Sequence, residues 1–166
     1  MMLYLVRHAL AEVAGAAAED ESRRLTDKGR EHARRTAAGM RAIDLAPNLI
    51  LTSPLPRAAE TARLLAEAFP MSPPVRSLAD LAAGIPPAPA IAAILPHTRH
   101  DEVMVVGHEP QLSAIAAILL AGDSSGMHLR LRKLACVALE LPIGRIAPRA
   151  AELHWMMTRR QLGRLR

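Results

Sequence analysis

Three short apolar runs constrain this chain most: LYLV (3–6), NLILT (48–52) and EVMVVG (102–107). Each is too short for a helix, and each breaks off into polar residues that lead toward helix-forming sequence. Apolar runs of about four to eight residues bounded by turn residues read as buried strands. Between them lie LTDKGREHARRTAAGMRAI, with Ala33, Ala37, Met40 and Ile43 or Asp44 at helical spacing, and PRAAETARLLAEAF. Thr26 is placed to cap the first of these helices, and Ser53 and Pro54 to cap and open the second. PVRSL (74–78) reads as a further, weaker strand, and the proline-rich GIPPAPA leads to a short helix around residues 90–96. PQLSAIAAILLAG predicts a helix closed by Gly122. LACVALEL (134–141) and AELHWMM (151–157) end the pattern as two strands in a hairpin-like arrangement.

Strands alternating with helices predict an α/β class, a single-domain three-layer α/β/α sandwich around a mostly parallel sheet. The last two strands have no helix between them, so at least one is expected to be antiparallel. At 166 residues the chain can bury a substantial core. Aromatics are only 2%, so that core must be built from Ala, Leu, Ile, Val and Met. No repeat or low-complexity tract divides the sequence. One domain is expected over residues 1–158, followed by a basic C-terminal tail, 159–166, that is solvated or frayed.

Several classes are excluded. Cys136 is the single cysteine and cannot form an internal disulfide, which predicts a reduced, cytoplasmic setting. Arg7-His8 interrupts the first apolar run after four residues, so it is no signal peptide. No stretch approaches the roughly 20 apolar residues of a membrane span. The net charge is +5, with 21 Lys and Arg against 16 Asp and Glu. Such a balance suits phosphorylated or acidic partners, although abundant Arg beside abundant Ala reads first as coding bias. No nucleic-acid partner is expected.

In an open α/β sheet, ligands bind beyond the carboxyl ends of the strands. LYLV ends in Arg7-His8, NLILT in Ser53 with Arg57 four residues on, and EVMVVG in His108. Two histidines and two arginines are thereby delivered to one sheet edge, where two helix N-termini also point. Each residue alone is weak; three strands delivering them together predict an anion pocket. The arginine fork binds phosphate oxygens bidentately, and two arginines neutralise a dianion. A neutral imidazole between them can attack phosphorus. Flanking arginines would repel a cation, so no metal and no other cofactor is expected.

LVRHALAE, RRLTDKGREHA, ILTSPLPRAAETA and VMVVGHEPQLS resemble the signature blocks of the histidine phosphatase superfamily, the phosphoglycerate mutase-like fold. Within it they are most similar to the SixA-type phosphohistidine phosphatases. The resemblance makes residues 1–158 the histidine phosphatase domain and His8 the nucleophile that becomes phosphorylated. It gives Arg7, Arg57 and His108 catalytic and phosphate-binding roles, with Ser53 also lining the substrate. The family's usual Arg-His-Gly is Arg7-His8-Ala9 here, which demands a backbone angle that alanine tolerates at position 9.

Many relatives place a carboxylate four residues before a glycine after the third strand. DLAAG puts Asp80 in that place, a candidate general acid, although a solvated loop aspartate reads equally well and His108 is an alternative proton source. The short connection between the third and fourth strands leaves no room for a long lid. The expected function is a metal-independent phosphatase acting on phosphohistidine in a protein. A small-molecule phosphomonoesterase on the same fold and a non-catalytic phosphate-binding module are the alternatives.

Overall fold

The computed structural model describes residues 1–13 and 21–165. Strand β1 spans Met2–Arg7 and helix α1 Asp27–Ala42. They are followed by β2 (Leu49–Thr52), α2 (Pro56–Ala66) and β3 (Val75–Ser77). A 3-10 turn at Ala79–Leu81, α3 (Pro87–Ile94) and a second 3-10 turn at Leu95–His97 lead to β4 (Glu102–Gly107). The chain closes with α4 (Gln111–Ala121), β5 (Cys136–Glu140), β6 (Glu152–Met157) and α5 (Arg159–Leu162). No helix among the described residues is long and apolar enough to cross a membrane.

The six strands form one sheet in the order β3-β2-β4-β1-β5-β6. The first four are parallel, while β5 runs antiparallel to both β1 and β6. The predicted three layers are present because the central strands are apolar on both sides. Successive strand residues face opposite ways. Leu3, Leu5, Leu49, Leu51, Val103 and Val105 pack with Ile94 of α3 and with Leu112, Ile115 and Leu119 of α4. Tyr4, Val6, Ile50, Met104 and Val106 pack on the other face with Met40 of α1 and Leu65 of α2. Each fully buried leucine of this kind contributes roughly 1.5–3 kcal/mol over an exposed one.

The local signals hold in part. Thr26 caps α1, accepting from the Gly29 N–H at 3.0 Å. α4 ends at Gly122, whose φ of +104° needs a residue without a side chain. Three expectations need correction. Ser53 does not cap α2 and Pro54 does not open it: the helix begins at Pro56 after Leu55, and the Ser53 hydroxyl is engaged with His108 instead. The short helix begins at Pro87 rather than near residue 90, since proline is well suited to a first helical position. The basic tail is not frayed where it is described. Thr158 and Gln161 form a capping box for α5, and Leu162 is fully buried beside Met40 and Leu65. The approach needs Gly39, where a Cβ would stand 1.8 Å from the Leu162 carbonyl oxygen. Arg166, the last residue of that tail, lies outside the described residues.

Candidate active site

The end of β4 assembles the site. The parallel ladder sets Arg7 opposite Gly107 and Thr52 opposite Val106. It then continues one residue past each neighbouring strand: His8 N–H donates to the Gly107 carbonyl at 3.1 Å, and Ser53 N–H to Val106 at 3.0 Å. His8, Ser53 and His108 are therefore held at adjacent strand ends by main-chain bonds, whatever their side chains do. Arg57 enters from the first turn of α2.

These polar side chains are buried: His8 is 5% exposed, His108 3%, Arg57 2% and Ser53 0%. Polar groups are buried at such density only where they are partnered or serve a ligand. The His8 and His108 rings lie 5.1 Å apart between centroids. His108 Nε2 and Ser53 Oγ are 2.8 Å apart, and Ser53 Oγ also accepts from the Leu55 N–H at 3.2 Å.

His8 Nδ1 lies 2.7 Å from the Ala9 carbonyl oxygen. A carbonyl can only accept, so Nδ1 carries the hydrogen. The pKa of His8 is depressed to about 3, chiefly by burial and then by His108, with Arg57 and Arg7 adding to it. The ring is thus neutral at neutral pH, and its Nε2 keeps a lone pair. Ala9 lies outside the left-handed backbone region, so alanine stands where the family has glycine without strain. Its N–H donates to Thr61 Oγ1 at 3.1 Å, and Thr61 donates on to the Arg57 carbonyl at 2.6 Å. Thr61 therefore ties the His8 loop to the helix that carries Arg57.

Arg7 is clasped by the segment before β5. Its N–H donates to the Ala135 carbonyl at 3.3 Å, its carbonyl accepts from the Leu134 N–H at 2.9 Å, and its Nη1 donates to the Leu131 carbonyl at 3.0 Å. Leu134 holds a left-handed φ of 60°, which costs a leucine roughly 1–2 kcal/mol. Arg7 Nε is buried without a hydrogen-bond partner among the described residues. A buried donor in that state costs about 1–3 kcal/mol, and an anion beside it would remove the cost. Glu109 steadies the same segment: its Oε1 accepts from the Leu131 N–H at 2.9 Å, and its other oxygen accepts from the Ser113 hydroxyl.

Asp80 is half-buried in the turn after β3. Its carbonyl accepts from Gln111 Nε2 at 2.8 Å, and the same amide donates to the Ile85 carbonyl at 2.9 Å. The turn is thus tethered to the start of α4, three residues beyond His108. Among the described residues, no group of three or more His, Cys, Asp or Glu is placed to hold a metal ion.

The family model of the histidine phosphatase superfamily (branch 1) matches residues 3–84. An uncharacterized protein of Picosynechococcus sp. is 33% identical over 152 residues, covering 88% of each chain. This chain belongs to the histidine phosphatase superfamily. Among solved structures, the protein histidine phosphatase SixA complexed with tungstate superposes with a TM-score of 0.82 at 21% identity, over 98% of this chain and 99% of that one. The alpha-ribazole phosphatase of Shigella flexneri gives 0.69 at 20% identity, over 91% and 96%. Proteins with different named substrates thus share this fold. The family match ends before His108, which joins the site through its place beside His8. Thr61, Gln111, Glu109 and Leu131 were not legible as site residues, because each acts through a partner far away in the sequence. Only the Gly-His-Glu-Pro run gave a cue, through the position of Glu109 beside His108.

Proposed function

We propose that this histidine phosphatase superfamily protein dephosphorylates phosphohistidine in a cytoplasmic protein, through a phosphoenzyme formed on His8. The reading is carried by one observation: His8 is buried and neutral, with Nδ1 committed to the Ala9 carbonyl and Nε2 left as the nucleophilic atom.

In the first step the Nε2 lone pair attacks phosphorus, a P–N bond forms to His8, and the P–N bond to the substrate imidazole breaks. That ring, protonated on its other nitrogen before or as the bond breaks, leaves with the bonding pair as neutral imidazole. Arg7 and Arg57 balance the charge on the transferring oxygens, and His108, oriented by Ser53, hydrogen-bonds the group as it moves. In the second step water attacks phosphorus, the bond to His8 breaks, a proton leaves the water, and phosphate departs. Asp80 or His108 supplies protons to the leaving group. Protonation of an imidazole has a reference pKa near 6.5, so the substrate ring is readily protonated on its free nitrogen, leaves as neutral imidazole, and does not require a strong acid.

The connection between β3 and β4, residues 78–101, holds only α3 and two 3-10 turns. With no long insertion there, a protein-borne phosphohistidine has room to approach. A small phosphomonoester is the second reading, because nothing in the phosphate pocket itself contacts the remainder of a substrate. The deciding experiment measures phosphate release from a phosphohistidine protein and from an alkyl phosphate side by side, with and without EDTA. Preference for the first, insensitive to chelation and inhibited by tungstate or vanadate, supports the proposal. Preference for the alkyl ester transfers the function to the second reading.

A further inference from the structure

A strip of cations leads away from the phosphate pocket. Arg7 stands at its head, lining an open cleft of about 650 Å3. Beyond it the walls are Arg130, Arg132 and Lys133, from the segment before β5, and Arg159 and Arg160 of α5. A smaller cleft of about 160 Å3 shares Arg159 and Arg160 and extends to Arg35 on α1 and to Arg164. No acidic side chain lines either cleft. Among the described residues, none of Arg130, Arg132, Lys133, Arg159 or Arg160 enters an ion pair. The crowding is felt locally: the Lys133 ammonium is held below its ordinary pKa by burial first, and then by Arg7, Arg23 and Arg57.

One phosphoryl group carries at most two negative charges, and Arg7 and Arg57 already match them. Five further cations, unpaired and facing one open surface, exceed what the reacting group can use. Like charges so gathered repel one another, and an anionic surface relieves the repulsion. The segments that carry these cations are also held in place. Leu162, buried under α1, anchors the helix that carries Arg159 and Arg160, and the Leu131–Arg7 bond holds the segment that carries Arg130 and Arg132.

The strip continues through both clefts, which share Arg159 and Arg160. Small-molecule sites are mainly apolar, whereas here Leu10 and Leu134 are the apolar members of a cationic wall. Single-stranded nucleic acid is bound on aromatic platforms, and no aromatic ring of Phe, Tyr or Trp lines the strip. Trp155 is instead stacked with Tyr4, 6.1 Å between centroids.

We propose that this strip docks an acidic surface of the phosphoprotein substrate and so delivers the phosphoryl group past Arg7 to His8. The proposal rests on the phosphatase reading of the pocket, and its test separates the two. The binding arm uses a fluorescein-labelled, unphosphorylated peptide rich in Asp and Glu, with its Asn and Gln counterpart as control. Fluorescence anisotropy is read against ionic strength for the wild type and for the Arg132→Glu/Arg160→Glu variant. Wild type should bind the acidic peptide alone, with affinity falling as salt rises, and the double charge reversal should weaken it by at least about tenfold. Arg132→Gln/Arg160→Gln, which removes charge without reversing it, should fall between. The turnover arm compares KM for phosphohistidine peptides with acidic and with neutral flanks. The acidic flank should lower KM in the wild type and raise it in the charge-reversed variant. Equal binding by wild type and both variants, equal KM for the two flanks, or tighter binding of a single-stranded oligonucleotide of matched charge would overturn the proposal. Absence of turnover on every phosphorylated compound, with charge-dependent peptide binding intact, would overturn the phosphatase reading while supporting the strip as an acidic-protein site.

Discussion

Glu109 and Arg7 are joined through a single residue: Leu131 donates its N–H to the Glu109 carboxylate at 2.9 Å and accepts from Arg7 Nη1 at 3.0 Å. Glu109 is therefore placed to position Arg7 in the proposed phosphate pocket through Leu131. Glu109→Ala should lower kcat/KM by about tenfold, the scale of one lost charge-assisted bond transmitted to Arg7. Glu109→Gln keeps an acceptor oxygen for Leu131 and should recover most of the loss. Steady-state kinetics on the same phosphorylated substrate checks both, and failure of glutamine to rescue would assign the effect to charge instead.

His8→Ala should abolish turnover and covalent labelling. With the wild type, rapid quenching should trap a label that survives base and is lost in acid, as a phosphorus–nitrogen bond demands. Peptide mapping should place it on His8; a label on Ser53 or Asp80 would contradict the mechanism.

Arg57→Ala should cost roughly 10²–10³ in rate, the usual loss when one donor to a transferring group is removed. Arg63, on the same helix but exposed, is the control, and Arg63→Ala should stay within about twofold of wild type. Kinetics on the paired variants tests whether α2 presents the face described here.

Asp80→Asn should separate substrates by leaving group. General acid catalysis is worth about 10²–10⁴, and an alkoxide needs it far more than an imidazole. The expected loss is under about tenfold on phosphohistidine and much larger on an alkyl phosphate. No differential loss on any substrate would return Asp80 to a solvated loop residue and leave His108 as the proton source.

Acid should destabilise the fold through His8. Its pKa is about 3 in the folded protein and near 6.5 when unfolded. Above pH 6.5 neither state binds the proton and stability is unaffected. As pH falls from 6.5 toward 3, the unfolded state binds it and the folded state does not, so stability is lost across that window, at roughly 1 kcal/mol per pH unit. Urea denaturation between pH 7 and pH 4 should show a shallower decline for His8→Asn than for the wild type.

The strand–helix alternation and the residues at the strand ends were legible because both are local: apolar runs, turn residues and one polar residue where each run stops. Ser53 was assigned to the wrong helical task, since a serine before a proline signals a cap and nothing nearby reveals a histidine 55 positions later. The arrangement around Arg7 was hidden for the same reason, as Leu131, Leu134 and Ala135 hold it by main-chain bonds that any side chain would allow. The basic tail misled because arginines dominate it. Its one informative residue, Leu162, needed Gly39 on a distant helix to give it meaning.

The strand order has a consequence for synthesis. β1 precedes the other described strands, yet it sits inside the sheet, between β4 and β5. Its register partners are Glu102–Gly107 on one side and Cys136–Glu140 on the other. A ribosome must therefore add about a hundred residues before LYLV finds either neighbour. Loop closure over such a span is slow, and an unpaired apolar strand in the meantime is open to wrong partners. His8, the proposed nucleophile, follows directly on β1 and is therefore seated late: it takes its place beside His108 only once β4 has arrived.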